Sequence, residues 1–164
     1  MKLLLPDDIR KTMLEHLKAA RKREIGGMLM GEELGRDQFR LVDFSVDLES
    51  GSVGHFVRDA ELHDQHLSEF FARTGSNYSR YNYLGEWHSH PSFTVEPSLA
   101  DIHSMQDLVE GPRGVGFAVL MISKLRRFWG FDYGAWLFVA GQPPVQVEIR
   151  RERSVDLKRE AQGR

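Results

Sequence analysis

Apolar positions along the chain follow two different periods. After Pro6-Asp7-Asp8, Ile9, Met13, Leu17 and Ala20 recur at helical spacing, and Lys18, Arg21, Lys22 and Arg23 gather at the far end. Acid at the start and base at the end suit a helix dipole. IGGMLMGE (25–32) is a short apolar run bounded by glycines and predicts a buried strand. FRLVDFSVDL (39–48) predicts a second strand and GHFVRD (54–59) a brief third. From Ala60 to Thr74 the helical period returns, with Leu62, Leu67, Phe70 and Phe71 on one side and Asp59 placed to cap it. A polar loop, GSNYSRYN (75–82), leads to a strand over Tyr83–His90. Ser98–Val109 reads as a third helix, with Leu99, Ile102, Met105 and Leu108 on its apolar face. GVGFAVLMIS (114–123) and RFWGFDYGAWLFV (127–139) predict two strands that meet near Lys124–Arg126, and VQVEIRRE (145–152) alternates cleanly as a last strand. Strands mixed with helices in this way predict one α/β domain over residues 1–152, a mixed β-sheet flanked by about three helices. Residues 153–164 are charged and poor in apolar side chains, which predicts a fraying tail.

Composition narrows the classes. The length, 164 residues with 41% hydrophobic, suits a single domain with a real core. A net charge of -2 offers no general attraction for nucleic acid or for membrane lipids. The absence of cysteine excludes disulfides and thiolate zinc sites, including the cysteine ligands of zinc nucleobase deaminases. The start, MKLLLPDD, is too short an apolar run for a signal-peptide core, and the longest run, Phe117–Ile122, is far short of the ~20 residues of a membrane span. The expectation is a soluble, cytoplasmic protein.

GEWHSHPSFTVEPSLAD (85–101) carries the chemistry. On a strand, His88 and His90 point the same way, ~7 Å apart along it. Two imidazoles from one rigid strand can converge on one ion, and Asp101, in the first turn of the following helix, is the natural third ligand. Three protein ligands leave a zinc ion one open position, the pattern of a catalytic rather than a closed structural site. Ser98-x-x-Asp101 is also a helix-capping signal, and the two readings are compatible because one helix start can present both residues. Glu86, two positions before His88, faces the same way and by spacing alone would be the favoured base, a ligand, or the acceptor for a histidine N–H that metal-bound histidines usually need. His63 and His66 share a helix face without a fixed carboxylate partner. His103 falls off the apolar face, and His16 and His55 carry no signal.

His88-Ser-His90-Pro91 followed by Ser98-Leu-Ala-Asp101, with Glu24 upstream in KREIGGMLMGEE, resembles the JAMM motif of the MPN+ metalloproteases. The YLGEWHSHP stretch is similar to their small bacterial JAB branch, and the resemblance spans the chain from the first helix to the last strands. It implies the MPN fold, which is cytidine-deaminase-like, and one Zn2+ per chain held by His88, His90 and Asp101. It implies that Glu24 takes a proton from the attacking water and passes it to the leaving amine. It implies that Ser98 donates to the developing oxyanion. Only the resemblance moves the assignment of the base from Glu86 to Glu24.

Members of that branch sit beside E1-like and E2-like enzymes and ubiquitin-like proteins, notably in anti-phage operons. The resemblance therefore implies an isopeptidase or peptidase, deubiquitinase-like, that cuts after the C-terminal glycine of a ubiquitin-like protein or its conjugate. Two competing readings are a metallopeptidase that processes a sulphur-carrier protein and a catalytically silent MPN module used for assembly.

Overall fold

The computed structural model describes residues 1–47, 51–52, 55–56, 60–112, 114–127 and 130–153, with backbone only at 51–52, 55–56 and 60–63. The expected cap at Asp59, most of GHFVRD and nearly all of the tail lie outside them. Three helices, α1 (Asp7–Ala20), α2 (Ala60–Arg73) and α3 (Leu99–Glu110), accompany a mixed sheet. The sheet has eight strands: β1 (Lys2–Pro6), β2 (Gly26–Gly35), β3 (Gln38–Phe44), β6 (Tyr81–Ser89), β7 (Phe117–Leu125), β8 (Phe131–Val139), β9 (Val145–Gln146) and β10 (Glu148–Glu152). A small pair, β4 (Gly51–Ser52) and β5 (His55–Phe56), stands apart. The strand order is β10-β1-β3-β2-β6-β7-β8-β9. β1 lies parallel to both β10 and β3, and β6 is parallel to β7; the other pairs are antiparallel. No helix among the described residues is long and apolar enough to cross a membrane.

The expected α/β class and mixed sheet hold, with differences in detail. MKLLLP forms a strand, which its sequence did not announce, because Leu3 and Leu5 are fully buried between two neighbouring strands. The second predicted strand ends at Phe44, where Asp43 turns its carboxylate onto the Phe44 N–H at 2.8 Å. Leu99, expected on the apolar face of α3, is 77% exposed. The rest of that face holds, with Met105 buried and Ile102 and Leu108 packed beside it, and Val109 joins it; the first turn stands over the site rather than over the sheet.

Strand alternation divides the core into two layers. Val119 and Met121 of β7 join Met13, Leu17, Leu29 and Trp87 under α1. Ala118, Leu120 and Ile122 point to the other face and pack with Met105, Val109 and Phe138 under α3. On that same face, Met28 and Met30 pack with Phe70 under α2. This accounts for the continuous apolar run FAVLMI: both of its faces are covered.

Between α2 and α3 the sheet floor is β6. Pairing with β2 skips Leu84, since Leu29 faces Gly85 while Met30 faces Tyr83. The bulge turns Leu84 into the α1 layer beside Trp87 and leaves Tyr83, Glu86 and His88 on the open face. Gly85 has φ 152°, and a Cβ there would come within 1.9 Å of the Val119 carbonyl oxygen, so glycine is required where β6 meets β7.

Candidate metal centre

The end of β6 carries the two histidines into a cleft of about 540 Å³. Trp87, fully buried on the opposite face, anchors the strand: its indole N–H donates to the Ser45 carbonyl at 2.9 Å, and its ring meets Phe44 edge-on. With Trp87 locked, His88 must face the cleft. His90 follows one step past the strand end, and its backbone N–H donates to the Ser123 carbonyl at 2.8 Å.

The rings then close the ~7 Å strand spacing by tilting toward one another, with centroids 4.8 Å apart and planes at 44°. Their Nε2 atoms are 3.0 Å apart. Asp101 spans both, with Oδ1 at 3.3 Å from His88 Nε2 and Oδ2 at 3.7 Å from His90 Nε2. Glu24 Oε1 lies 4.0 Å from His90 Nε2. Glu24, His88 and His90 are all buried, and one ligand atom from each falls within 4.8 Å of the others.

Backbone bonds place Glu24. It lies in the turn before β2, not on the strand itself. The hydroxyl of Ser89, the residue between the two histidines, accepts the Ile25 N–H at 3.0 Å, while the Ser89 N–H donates to the Ile25 carbonyl at 2.7 Å. This two-way clasp holds the residue after Glu24 against the histidine strand. Thr94 plays a comparable part for His90: its carbonyl accepts the Nδ1 proton at 2.7 Å, which leaves Nε2 as the lone pair facing the cleft. Sequence reasoning missed both partners. The Thr94 contribution is a backbone carbonyl and has no side-chain signal; Ser89 is visible only if its alternate-face position is followed to the preceding turn.

Ser98 and Asp101 form the expected capping box at the start of α3. The Ser98 hydroxyl accepts the Asp101 N–H at 3.2 Å, and Asp101 Oδ2 accepts the Ser98 N–H at 2.7 Å. The cap thus aims the Asp101 carboxylate. Burial alone would raise the Asp101 pKa, but hydrogen bonding and charge from His88, with the two bonds to Ser98, hold it well below the usual carboxylate range. It is ionised and ready to meet a cation.

Glu86 sits half-buried on the cleft floor, with the Tyr83 hydroxyl 3.4 Å from its Oε1. For His90, the N–H acceptor is Thr94 and not a carboxylate. His66 lies 3.4 Å from Asp43, which also takes Arg73, and does not line the cleft; the His63 side chain lies outside the described residues. His103 is exposed. Phe93, on the loop after Pro91, lines the cleft 64% exposed, edge-on to His90 at 6.2 Å between centroids.

The donor set fits a metal ion. His88 and His90 Nε2 are 3.0 Å apart, and Asp101 Oδ1 and Oδ2 lie 3.3 and 3.7 Å from them respectively, close to the ~3.3 Å that separates donors around a tetrahedral ion with ~2.0–2.1 Å bonds. The donors, two imidazoles and a carboxylate, are also of the type such ions take.

The architecture resembles the solution structure of protein DSY2949 from Desulfitobacterium hafniense, with a TM-score of 0.70 at 20% identity over 93% of this chain and 94% of that one. At that identity the likeness concerns the fold. No curated protein matches the chain. Residues 6–132 match the family described as prokaryotic homologs of the JAB domain, a stretch that runs from the start of α1 through the histidine strand and Asp101 into β8. With most of its length inside that match and with the fold and the donor cluster in place, the chain belongs to the prokaryotic homologs of the JAB domain.

Proposed function

We propose that this protein is a zinc-dependent isopeptidase or peptidase that cuts after the C-terminal glycine of a ubiquitin-like protein or its conjugate. The observation that carries the reading is the convergence of His88, His90, Asp101 and Glu24 on the floor of one cleft. His88, His90 and Asp101 would hold the ion, which would polarise the scissile carbonyl and lower the pKa of the attacking water toward ~7.

This chain's own residues supply the rest. Glu24 accepts a proton from the water and returns it to the leaving amine, a task that needs reach to the water rather than a bond to the ion. Its 4.0 Å separation from His90 Nε2, longer than either Asp101 contact, suits that division. The Ser98 hydroxyl accepts from its own helix, and its proton would turn from the Asp101 carboxylate to the developing oxyanion. Thr94 keeps the His90 ring from rotating. A thin glycine-ended tail suits a cleft served by short loops, and ubiquitin-like proteins with such tails, together with E1-like and E2-like enzymes of an anti-phage operon, are the proposed partners in the cytoplasm.

The test uses purified protein and a ubiquitin-like domain joined through its C-terminal glycine to a reporter. Cleavage after the glycine is expected, with about one zinc per chain. A chelator should abolish it while the far-UV spectrum keeps most of its amplitude, since the ligand strand pairs on both sides without the ion. Glu24→Gln should keep its zinc and lose turnover by orders of magnitude. Zinc-loaded wild type that cleaves no such fusion would overturn the peptidase reading.

A further inference from the structure

We propose that Lys18, Arg21 and Lys22 form a basic docking surface beside the cleft, and that it takes an acidic face of the folded ubiquitin-like body whose tail enters the site. The inference rests on the peptidase reading above and adds the chemistry of the partner's surface.

Position is the first observation. Helix α1 ends at Ala20, and the turn after it runs straight to Glu24. Glu24 lies 4.0 Å from His90 Nε2, and the next residue, Ile25, is clasped to Ser89 by two hydrogen bonds. Consecutive Cα atoms are ~3.8 Å apart, so the Cα of Lys22 stands within ~8 Å of that of Glu24, and Arg21 within ~11 Å. A folded domain that threads a short tail to the ion comes to rest on the surface around the cleft. This turn leads directly into that cleft.

Exposure is the second. Leu17, Ala20 and Glu24 are buried, whereas Lys18, Arg21 and Lys22 are exposed. Between Ala20 and Glu24 the chain therefore presents basic residues outward.

Cost is the third. Arg21 has φ 58° and ψ -101°, in the half of conformational space where glycine is at ease and other residues are strained. Strain of this kind gathers at functional positions. Like charges within one turn of chain also repel. The helix dipole accounts for Lys18, in the last turn, but its effect falls off there and does not reach to Lys22, past the helix end. An arginine in a glycine's conformation, beside a second cation, lowers stability and is explained by an anionic partner.

The patch fits a protein better than a nucleic acid. The whole chain has a net charge of -2 and lacks the extended basic stripe that phosphate backbones require. A single turn of cations matches a compact acidic patch, and opposite potentials steer and orient such a partner.

The experiment measures binding of a cleavage product, so it does not depend on turnover. A fluorescein-labelled ubiquitin-like domain with a free glycine-ended tail is made in two versions, with acidic or with basic surface substitutions away from the tail. Each is titrated by anisotropy against the zinc-loaded protein. Wild type should bind the acidic version about tenfold tighter at low salt. The gap should close as salt is raised. Lys22→Glu should remove most of the preference, and Lys18→Glu with Lys22→Glu should reverse it. Arg21→Gly should weaken binding of the acidic version severalfold yet melt no lower than wild type, since it removes strain along with charge. Lys11, exposed two helical turns before Lys18, is the control. Lys11→Glu changes net charge as much as Lys22→Glu does and should keep the wild-type preference. Melting temperature and zinc content establish that each variant is folded; if the double variant is not, Lys22→Glu decides.

No preference in wild type, or an equal loss in Lys11→Glu and Lys22→Glu, overturns the proposal. Duplex DNA that binds tighter than the acidic domain, and is released by the same variants, overturns it in favour of nucleic acid. A local charge preference without cleavage of the glycine-linked fusion would sink the peptidase reading and keep the docking surface. Cleavage without the preference would do the opposite.

Discussion

At the scale of single residues, the site is a set of side chains whose partners are mostly backbone. His90 is aimed by a carbonyl, Glu24 by a clasp on its neighbour, and Asp101 by the N–H of Ser98. Ser98 is where two roles meet on one hydroxyl, and they separate experimentally. Removing the cap through Ser98→Ala should cost about 1 kcal/mol of stability. Losing an oxyanion donor should lower kcat by about 10²-fold. Both effects are expected together, read from thermal melts and turnover on one preparation. Asp101 keeps its bond to the backbone of residue 98 in this variant, so zinc content should hold. A lowered Tm with unchanged kcat would assign Ser98 to capping alone. The residue types were legible from the sequence, because a metal site needs imidazoles and carboxylates at restricted spacing. Their partners at Thr94 and Ser89 were not, since a carbonyl belongs to every residue.

At the scale of elements, the site depends on how closely β2 approaches β6. Gly26 stands opposite His88, and a Cβ there would fall 2.4 Å from the Trp87 carbonyl oxygen and 2.9 Å from His88 Cβ. Gly26→Ala must therefore push the strands apart at the ligand itself. We expect a loss of roughly 1–3 kcal/mol, the usual range for overpacking, which is a fall in Tm of about 2–12 °C for a chain of this length. Zinc affinity should weaken as well. Gly116→Ala is the control: nothing lies within 4 Å of its added Cβ, and its melt should match wild type. Equal melting of the two variants would show that β2 can yield at residue 26 without cost. The three helices and most strands were readable from period, since α1, α2 and α3 each show a 3.6-residue apolar repeat. β1 was not, because LLL has no period and becomes a strand only between β10 and β3.

Over the whole molecule, the last strand, β10, is tied to the centre of the sheet by an ionic network. Arg40 of β3 donates twice to Glu152 of β10, at 2.8 and 2.7 Å, and once to Glu32 of β2 at 2.9 Å. Arg80, at the start of β6, completes Glu32 from the other side at 2.8 and 2.5 Å. Burial would raise the Glu32 pKa, but the hydrogen bonds and charges of Arg80 and Arg40 outweigh it and hold the carboxyl below its ordinary value of 4.5. A depressed folded pKa means stability that is present above the unfolded value and lost as pH falls through the folded one. Tm should therefore decline as pH is lowered below about 4.5. Glu32→Gln should cost about 1–3 kcal/mol near neutrality, the scale of hydrogen bonds to charged groups, and should flatten that acid limb. An acid limb of the same slope in the Gln variant would remove Glu32 as its source.

Residue types at the candidate site and the local elements were legible in the residues themselves. Side-chain type and spacing carry both, as in the His88, His90, Asp101 set and the repeat of Met13, Leu17 and Ala20. Sheet order, the wedging of β1, the exposure of Leu99 and the bulge that turns Leu84 into the α1 layer came only from the tertiary arrangement. The physical reason is that pairing between strands far apart in the chain is set by which faces the whole molecule can cover. No stretch of residues encodes that for itself.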